Sequence, residues 1–253
     1  MNAEDTDLVY GIHAVEEMLS AMSERVRQVL VDANGGSGAR RVADEARRVG
    51  VEVRVLPAIA FRNLSRGRPF QGVAAKVEAY EYAELDDVSA LAARTDPFAL
   101  LVALDSVKDP GNLGSILRSS AFFGVKGVIL PRDRSVEVTP TVARTSAGAL
   151  ASVPVSQVTN LARSLRELKD QGWFIVGADA HDGGDLADLQ RDGPCVVVMG
   201  SEEKGLRRLV KETCDALVTI PAMGGFESLN VGVSAGILIH TMTRLDHCRG
   251  RED

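Results

Sequence analysis

"FALLVALDSVKDPGNLGSILRSSAFFGVKGVIL", residues 98 to 130, holds an apolar run, a polar turn, a helix-spaced segment and a second apolar run. "FALLVALD" is apolar at every position up to Asp105, too continuous for a strand with one solvated face. Pro110-Gly111 forces a turn, Asn112 is placed to cap a helix, and Gly114 lets another backbone pass closely. Two such strands joined through a helix predict a crossover in a parallel sheet covered on both faces.

The alternation continues toward the C-terminus. Strands are expected at 151–158, 173–179, 195–200 and 216–221, and helices around 140–149, at 159–172, at 205–214 and from about Asn230 onward. Ligands in parallel sheets collect at the carboxyl ends of strands. That rule selects three polar stretches: the one after Asp105, "GSEEKGL" from Gly200, and "AMGGFESLN" before Asn230. In the last, Ser228 and Asn230 can bond free N–H groups at a helix start, and Gly232, Ser234, Ala235 and Gly236 offer a close-packing face.

Upstream, "GIHAVEEMLSA" has helical spacing and "RVRQVLVD" reads as a strand. "SGARRVADEARRVG" is an amphipathic helix with Ser37 placed to cap it, and "VEVRVL" and "GVAAKVEAY" read as strands. Residues 7–80 therefore form a small α/β domain. Residues 81–96 are acidic and short of large apolar side chains, which suits a linker or loose helix, and 97–248 form the second domain.

The net charge of −6 argues against a nucleic-acid partner until its distribution is considered. Residues 1–80 hold 11 basic and 11 acidic side chains, so the deficit belongs to the rest. Eight arginines fall between residues 40 and 68, including Arg40, Arg41, Arg62, Arg66 and Arg68. Arginine suits phosphate forks, although i,i+4 pairing on a solvated helix face accounts for the cluster equally well. No run of 18 apolar residues exists, which excludes a membrane-spanning helix, and the acidic N-terminus does not read as a secretory signal. Three scattered cysteines point to a reducing cytoplasm and to no structural metal. No G-x-G-x-x-G follows any strand, which disfavours a nicotinamide dehydrogenase.

Taken together and in order, "NLGSILR", "VMGSEEKGL" and "IPAMGGFESLNVGVSAGIL" resemble the three motifs of the SpoU (TrmH) family of RNA 2′-O-methyltransferases. "LVYGIHAVEEML" resembles the start of the L30e-like domain of its rRNA-modifying members. The resemblance implies a SPOUT-type α/β domain with a mainly parallel sheet and a deep C-terminal trefoil knot. It implies S-adenosyl-L-methionine as cofactor, with Gly200, Ile220 and Leu229 at the contacting positions, and no metal. Asn112, Arg118, Glu202, Ser228 and Asn230 match the family's active-site residues.

The expected substrate is a guanosine 2′-hydroxyl in 23S rRNA or an assembly intermediate, with no DNA or membrane partner. A homodimer through the knot region is also implied. Alternatives are the same transfer to tRNA or to an rRNA adenosine, or an RNA-binding assembly factor without activity. Two of the motifs depart from the family pattern. Glu203 stands where Gly usually follows the motif-two Glu, and Gly232 and Ser234 replace residues of "SLNVSVAAG". Were the usual Gly left-handed, Glu203 would be strained.

Overall fold

The computed structural model describes residues 6–65, 71–180, 182–189, 192–224 and 228–249. They form two compact units that divide between Glu81 and Tyr82.

The first unit runs β1 (Thr6–Tyr10), α1 (Ile12–Ala21), β2 (Val26–Asp32), α2 (Ser37–Arg48), β3 (Glu52–Leu56), α3 (Ala58–Ser65) and β4 (Val73–Glu78). Its sheet has the order β1-β4-β2-β3, with β4 antiparallel to both neighbours and β2 parallel to β3. Ala39, Val42, Ala43 and Ala46 are buried at helical spacing on α2, which sets the charged face of that helix toward water. On another part of the core Phe61, from α3, is fully buried with Leu30 and Ala74.

Two elements here escaped the periodicity. β1 has only five residues and adjoins an acidic stretch, and α3 buries chiefly one large side chain, so neither repeats long enough to signal itself. Ser37 does not cap α2. Gly36 holds the N-cap position without a side-chain bond, and Ser37 is already the first helical residue.

The second unit runs α4 (Leu85–Thr95), β5 (Leu100–Asp105), α5 (Pro110–Phe123), β6 (Gly127–Pro131), α6 (Pro140–Ser146), β7 (Val155–Val158), α7 (Leu161–Asp170) and β8 (Phe174–Ala178). It continues through β9 (Gly184–Asp185), β10 (Cys195–Gly200), α8 (Arg208–Lys211), β11 (Ala216–Thr219) and α9 (Val231–Arg249). The sheet order is β7-β6-β5-β10-β8-β11-β9, and every pairing is parallel. β5 is buried along its whole length and β10 up to Gly200, as expected for strands covered on both faces. The chain leaves β5 toward β6 and β7, then crosses to β8 and returns to insert β10 beside β5. A crevice therefore opens at the carboxyl ends of β5 and β10, where Asp105 lies opposite Gly200.

Residues 81–96 carry α4, whose Ser89 and Ala92 are buried, Ala92 in the core with Leu101 and Ala103. The helix expected over 205–214 is confined to four residues, because Gly205 is left-handed and Arg207 is extended and pinned from β5. Among the described residues no helix is long and apolar enough to cross a membrane.

Candidate functional site

Three loops meet at the carboxyl edge of the sheet. The first leaves β5 through Ser106, which is left-handed at φ 67°, and enters α5. Asp109, not Asn112, caps this helix: its carboxylate accepts from the Asn112 backbone N–H at 2.8 Å, with Pro110 in the first turn. The Asn112 side chain is thereby released from capping. Leu113, Ile116 and Leu117 anchor the buried side of α5. Asn112, Ser115, Arg118 and Phe122 follow each other at i+3 and i+4 steps along its other side. Gly114 is required by close packing, since a Cβ there would sit 1.8 Å from Thr145 Oγ1 of α6.

The second loop is a tight return after β10. Ser201 and Gly205 exchange backbone hydrogen bonds of 3.2 and 2.8 Å, and Gly205 takes φ 60°. The loop folds back on Gly200, where a Cβ would lie 2.2 Å from the Gly205 carbonyl carbon. Glu203 has no left-handed φ, so the family's Gly is replaced without backbone strain. Below the loop sits a feature that the periodicity did not reveal. Asp105, fully buried at the end of β5, accepts from Arg207 Nε at 2.6 Å and from the Arg207 backbone N–H at 2.7 Å. A buried carboxylate needs such pairing. The one sequence signal was a lone Asp ending an apolar strand.

The third loop brings Asn230 to both of the others. Asn230 Oδ1 accepts from the Gly232 and Val233 N–H groups at 3.0 and 3.3 Å, capping α9. Its Nδ2 donates to Asn112 Oδ1 and to Glu202 Oε1, each at 2.8 Å. Glu202 Oε1 also accepts from Asn112 Nδ2 at 3.2 Å and from the Val231 N–H at 3.0 Å. Residues separated by 90 and 118 positions thus share one hydrogen-bonded set, with a carboxylate held at the N-terminal end of α9. Asn230 serves as cap and as bridge at once. Gly232 lets α9 lie against α5, because a Cβ there would sit 2.3 Å from Ser115 Oγ.

The other expected residues divide. Arg118 is exposed on α5 and makes no hydrogen bond or ion pair among the described residues. Ser228 is exposed and likewise without a partner, and the structure does not bring either residue into the hydrogen-bonded set. Gly200 and Ile220 stand at the ends of β10 and β11, on either side of β8, and Leu229 is half exposed. Arg40 and Arg62 are exposed, and Arg41 pairs with Glu16 at 2.7 Å. Arg66 and Arg68 lie outside the described residues, as does Glu227.

Beside Asn112 and Glu202 opens a cavity of about 590 Å³, with Lys108, Arg134, Lys204 and Arg207 on its wall. Gly200, Ile220 and Leu229 are not part of that wall. Cys214 is packed against the core of the second unit, where burial first, and then Asp215, push its thiol up to about 12 and disfavour the thiolate.

This chain is similar to known proteins along nearly its whole length. The profile of the SpoU rRNA Methylase family matches residues 99–240, and that of RNA 2′-O ribose methyltransferase substrate binding matches residues 8–83. The Bacillus subtilis protein YacO, assigned to the TrmH family of tRNA/rRNA methyltransferases, is 38% identical over 96% of this chain and 97% of its own. An uncharacterized tRNA/rRNA methyltransferase of Mycobacterium sp. (strain KMS) is 43% identical over 95% of this chain and 77% of its own. Among solved structures, the SpoU methyltransferase AviRb of Streptomyces viridochromogenes, in complex with AdoMet, superposes with a TM-score of 0.64. It is 26% identical and covers 96% of this chain and 91% of its own. With one family profile over most of the second unit and a relative matched end to end, the chain belongs to the SpoU/TrmH family of RNA methyltransferases.

Proposed function

We propose that this protein transfers a methyl group from S-adenosylmethionine to the ribose 2′-hydroxyl of a guanosine in 23S rRNA, in the cytoplasm, as the RlmB-type enzymes resembled by its motifs do. The observation that carries the proposal is the Asn112–Glu202–Asn230 hydrogen-bonded set at the switch point of the sheet, with the free Arg118 two helical steps along α5.

The residues present suit the cofactor. Ile220 to Met223 follow β11 with backbone groups that find no partner among the described residues, Met223 exposes apolar surface in the same segment, and Leu229 exposes more just before α9. Such a segment offers hydrogen bonds to an adenine edge and an apolar bed for its ring. Bound there, S-adenosylmethionine supplies an electrophilic methyl group for in-line displacement. A trefoil knot at this edge accords with the seating of α9 against α5 and against the loop after β10.

Positioning provides much of the acceleration, because fixing the hydroxyl in line removes most of the entropic barrier. Arg118 binds an RNA phosphate and polarises the 2′-hydroxyl. A guanidinium stays protonated, so it does not accept the proton. Glu202 Oε2 has no partner among the described residues and is the acceptor this site offers, while Oε1 is held by three donors. Asn112 and Asn230 fix that carboxylate, and Ser228 shapes the loop. Two subunits pair through the knot region, where α5 and α9 expose Phe122, Val233 and Ile237.

Residues 7–80 serve as the L30e-like RNA-binding domain and 97–248 as the SPOUT domain. Recruitment falls to the arginines of the first. Replacing Arg40, Arg41 and Arg62 together by Ala is expected to weaken rRNA binding about tenfold or more and to flatten its salt dependence. Cofactor affinity should stay as it was; equal rRNA affinity and equal salt slope would count against the assignment. The function itself is tested with purified protein, labelled S-adenosylmethionine and unmodified 23S rRNA. Label at a 2′-oxygen is expected, whereas tight RNA binding without incorporation indicates an assembly factor.

A further inference from the structure

The geometry points to Glu203 as the residue that reads the base of the target nucleotide, with guanine as the base it selects. This rests on the ribose-methylation proposal above and names the specificity element of the same site. The cavity of about 590 Å³ beside Asn112 and Glu202 is large enough for one nucleotide. Three carboxylates lie on its wall, and two of them already have a task. Asp109 caps α5, and Glu202 is held through Oε1 by Asn112, Asn230 and Val231, with its Oε2 assigned above to the proton. Glu203 is exposed and makes no hydrogen bond or ion pair among the described residues, so both of its oxygens are open acceptors.

The cations around it divide in the same way. Arg207 is spent on Asp105 and Arg208 on Glu212, while among the described residues Lys108 and Arg134 have no ion-pair partner and the Lys204 ammonium has none either. Arg134, on the wall of the same cavity, is held left-handed at φ 62°. A non-glycine residue held there implies that its direction is fixed by its surroundings. Open cations meet the flanking phosphates, and the open carboxylate meets the base.

An acceptor pair discriminates among bases by their donors. Guanine alone presents two adjacent donors, N1–H and the N2 amino group, on its Watson–Crick edge, and a carboxylate accepts both. Adenine and cytosine offer one amino group beside an acceptor nitrogen that a carboxylate repels, and uracil offers a single N–H between two carbonyls. Glu203 sits next in sequence to Glu202, so a base held there keeps its ribose beside the hydrogen-bonded set.

The test uses the full-length protein and an rRNA fragment carrying guanosine, inosine or adenosine at the methylated position. The wild type should prefer guanosine over inosine, which lacks the N2 amino group, and over adenosine more strongly still. Glu203→Gln, which keeps shape and loses one acceptor, is expected to lower kcat/KM on guanosine about 10- to 100-fold. It should also narrow the guanosine-to-adenosine ratio, because its amide can donate to adenine N1 while its carbonyl accepts from N6. An unchanged melting temperature shows that the fold is kept. Wild-type activity on guanosine with an unaltered ratio in Glu203→Gln overturns the assignment of Glu203 and leaves ribose methylation standing. Equal wild-type rates on all three bases overturn it too. Absence of methyl transfer by the wild type removes the underlying function together with this inference.

Discussion

Arg118→Ala is expected to abolish most methyl transfer, lowering kcat about a hundredfold to a thousandfold while leaving cofactor affinity unchanged. Arg118 is exposed, has no partner among the described residues and is mounted on a helix whose other side is locked by Leu113, Ile116 and Leu117, so its removal costs the fold little. In the proposed function its value lies in what it meets when RNA arrives. A planar fork binds a phosphate through two parallel bonds and still faces the hydroxyl, whereas an ammonium is a point charge. Arg118→Lys should therefore recover less than about tenfold of the loss. Single-turnover methylation at saturating cofactor measures this directly, and near-full activity of the lysine variant would end the bidentate role.

The second large effect is on stability. Asp105→Ala removes a buried carboxylate that accepts two bonds from Arg207, one of them from the backbone. Breaking a fully buried pair costs about 3–5 kcal/mol. Arg207 is 43% exposed, however, and its guanidinium recovers water, so about 2–3 kcal/mol is expected here. For a unit of this size that is a fall in melting temperature of about 5–10 °C. Asp105→Asn keeps an acceptor for the backbone N–H and should fall between the two. Because Arg207 ties the loop after β10 to β5, activity should drop about tenfold or more through misplaced Glu202. Thermal unfolding that shifts by less than about 2 °C would show that the pair contributes little.

The parallel sheet was legible because its strands are apolar without interruption, and the helices between them repeat at 3.6. What stayed hidden was decided by contacts distant in sequence. β9 is two residues long and exists only by pairing with β11. α8 is cut short by the bond from Asp105, 102 positions away. α4 buries a serine and an alanine, which carry almost no hydrophobic signal.

The site shows the same division. Each loop taken alone has a bland reading as a helix cap, and for Asn230 that reading is correct as well as incomplete. Asn112 suits a cap by residue type, but Asp109 three residues earlier holds that position. Spacing could not join Asn112, Glu202 and Asn230; only the order of three motifs did so. Ser228 and Arg118 are exposed and remain outside the hydrogen-bonded set.

The most direct measurement is a map of ribose 2′-O-methylation across all stable RNAs in cells with and without this gene. One guanosine in 23S rRNA is expected to lose its methyl group in the deletion, and to regain it with the wild-type chain but not with Arg118→Ala. An unchanged 23S map, with the loss falling on tRNA or on no RNA at all, would contradict it.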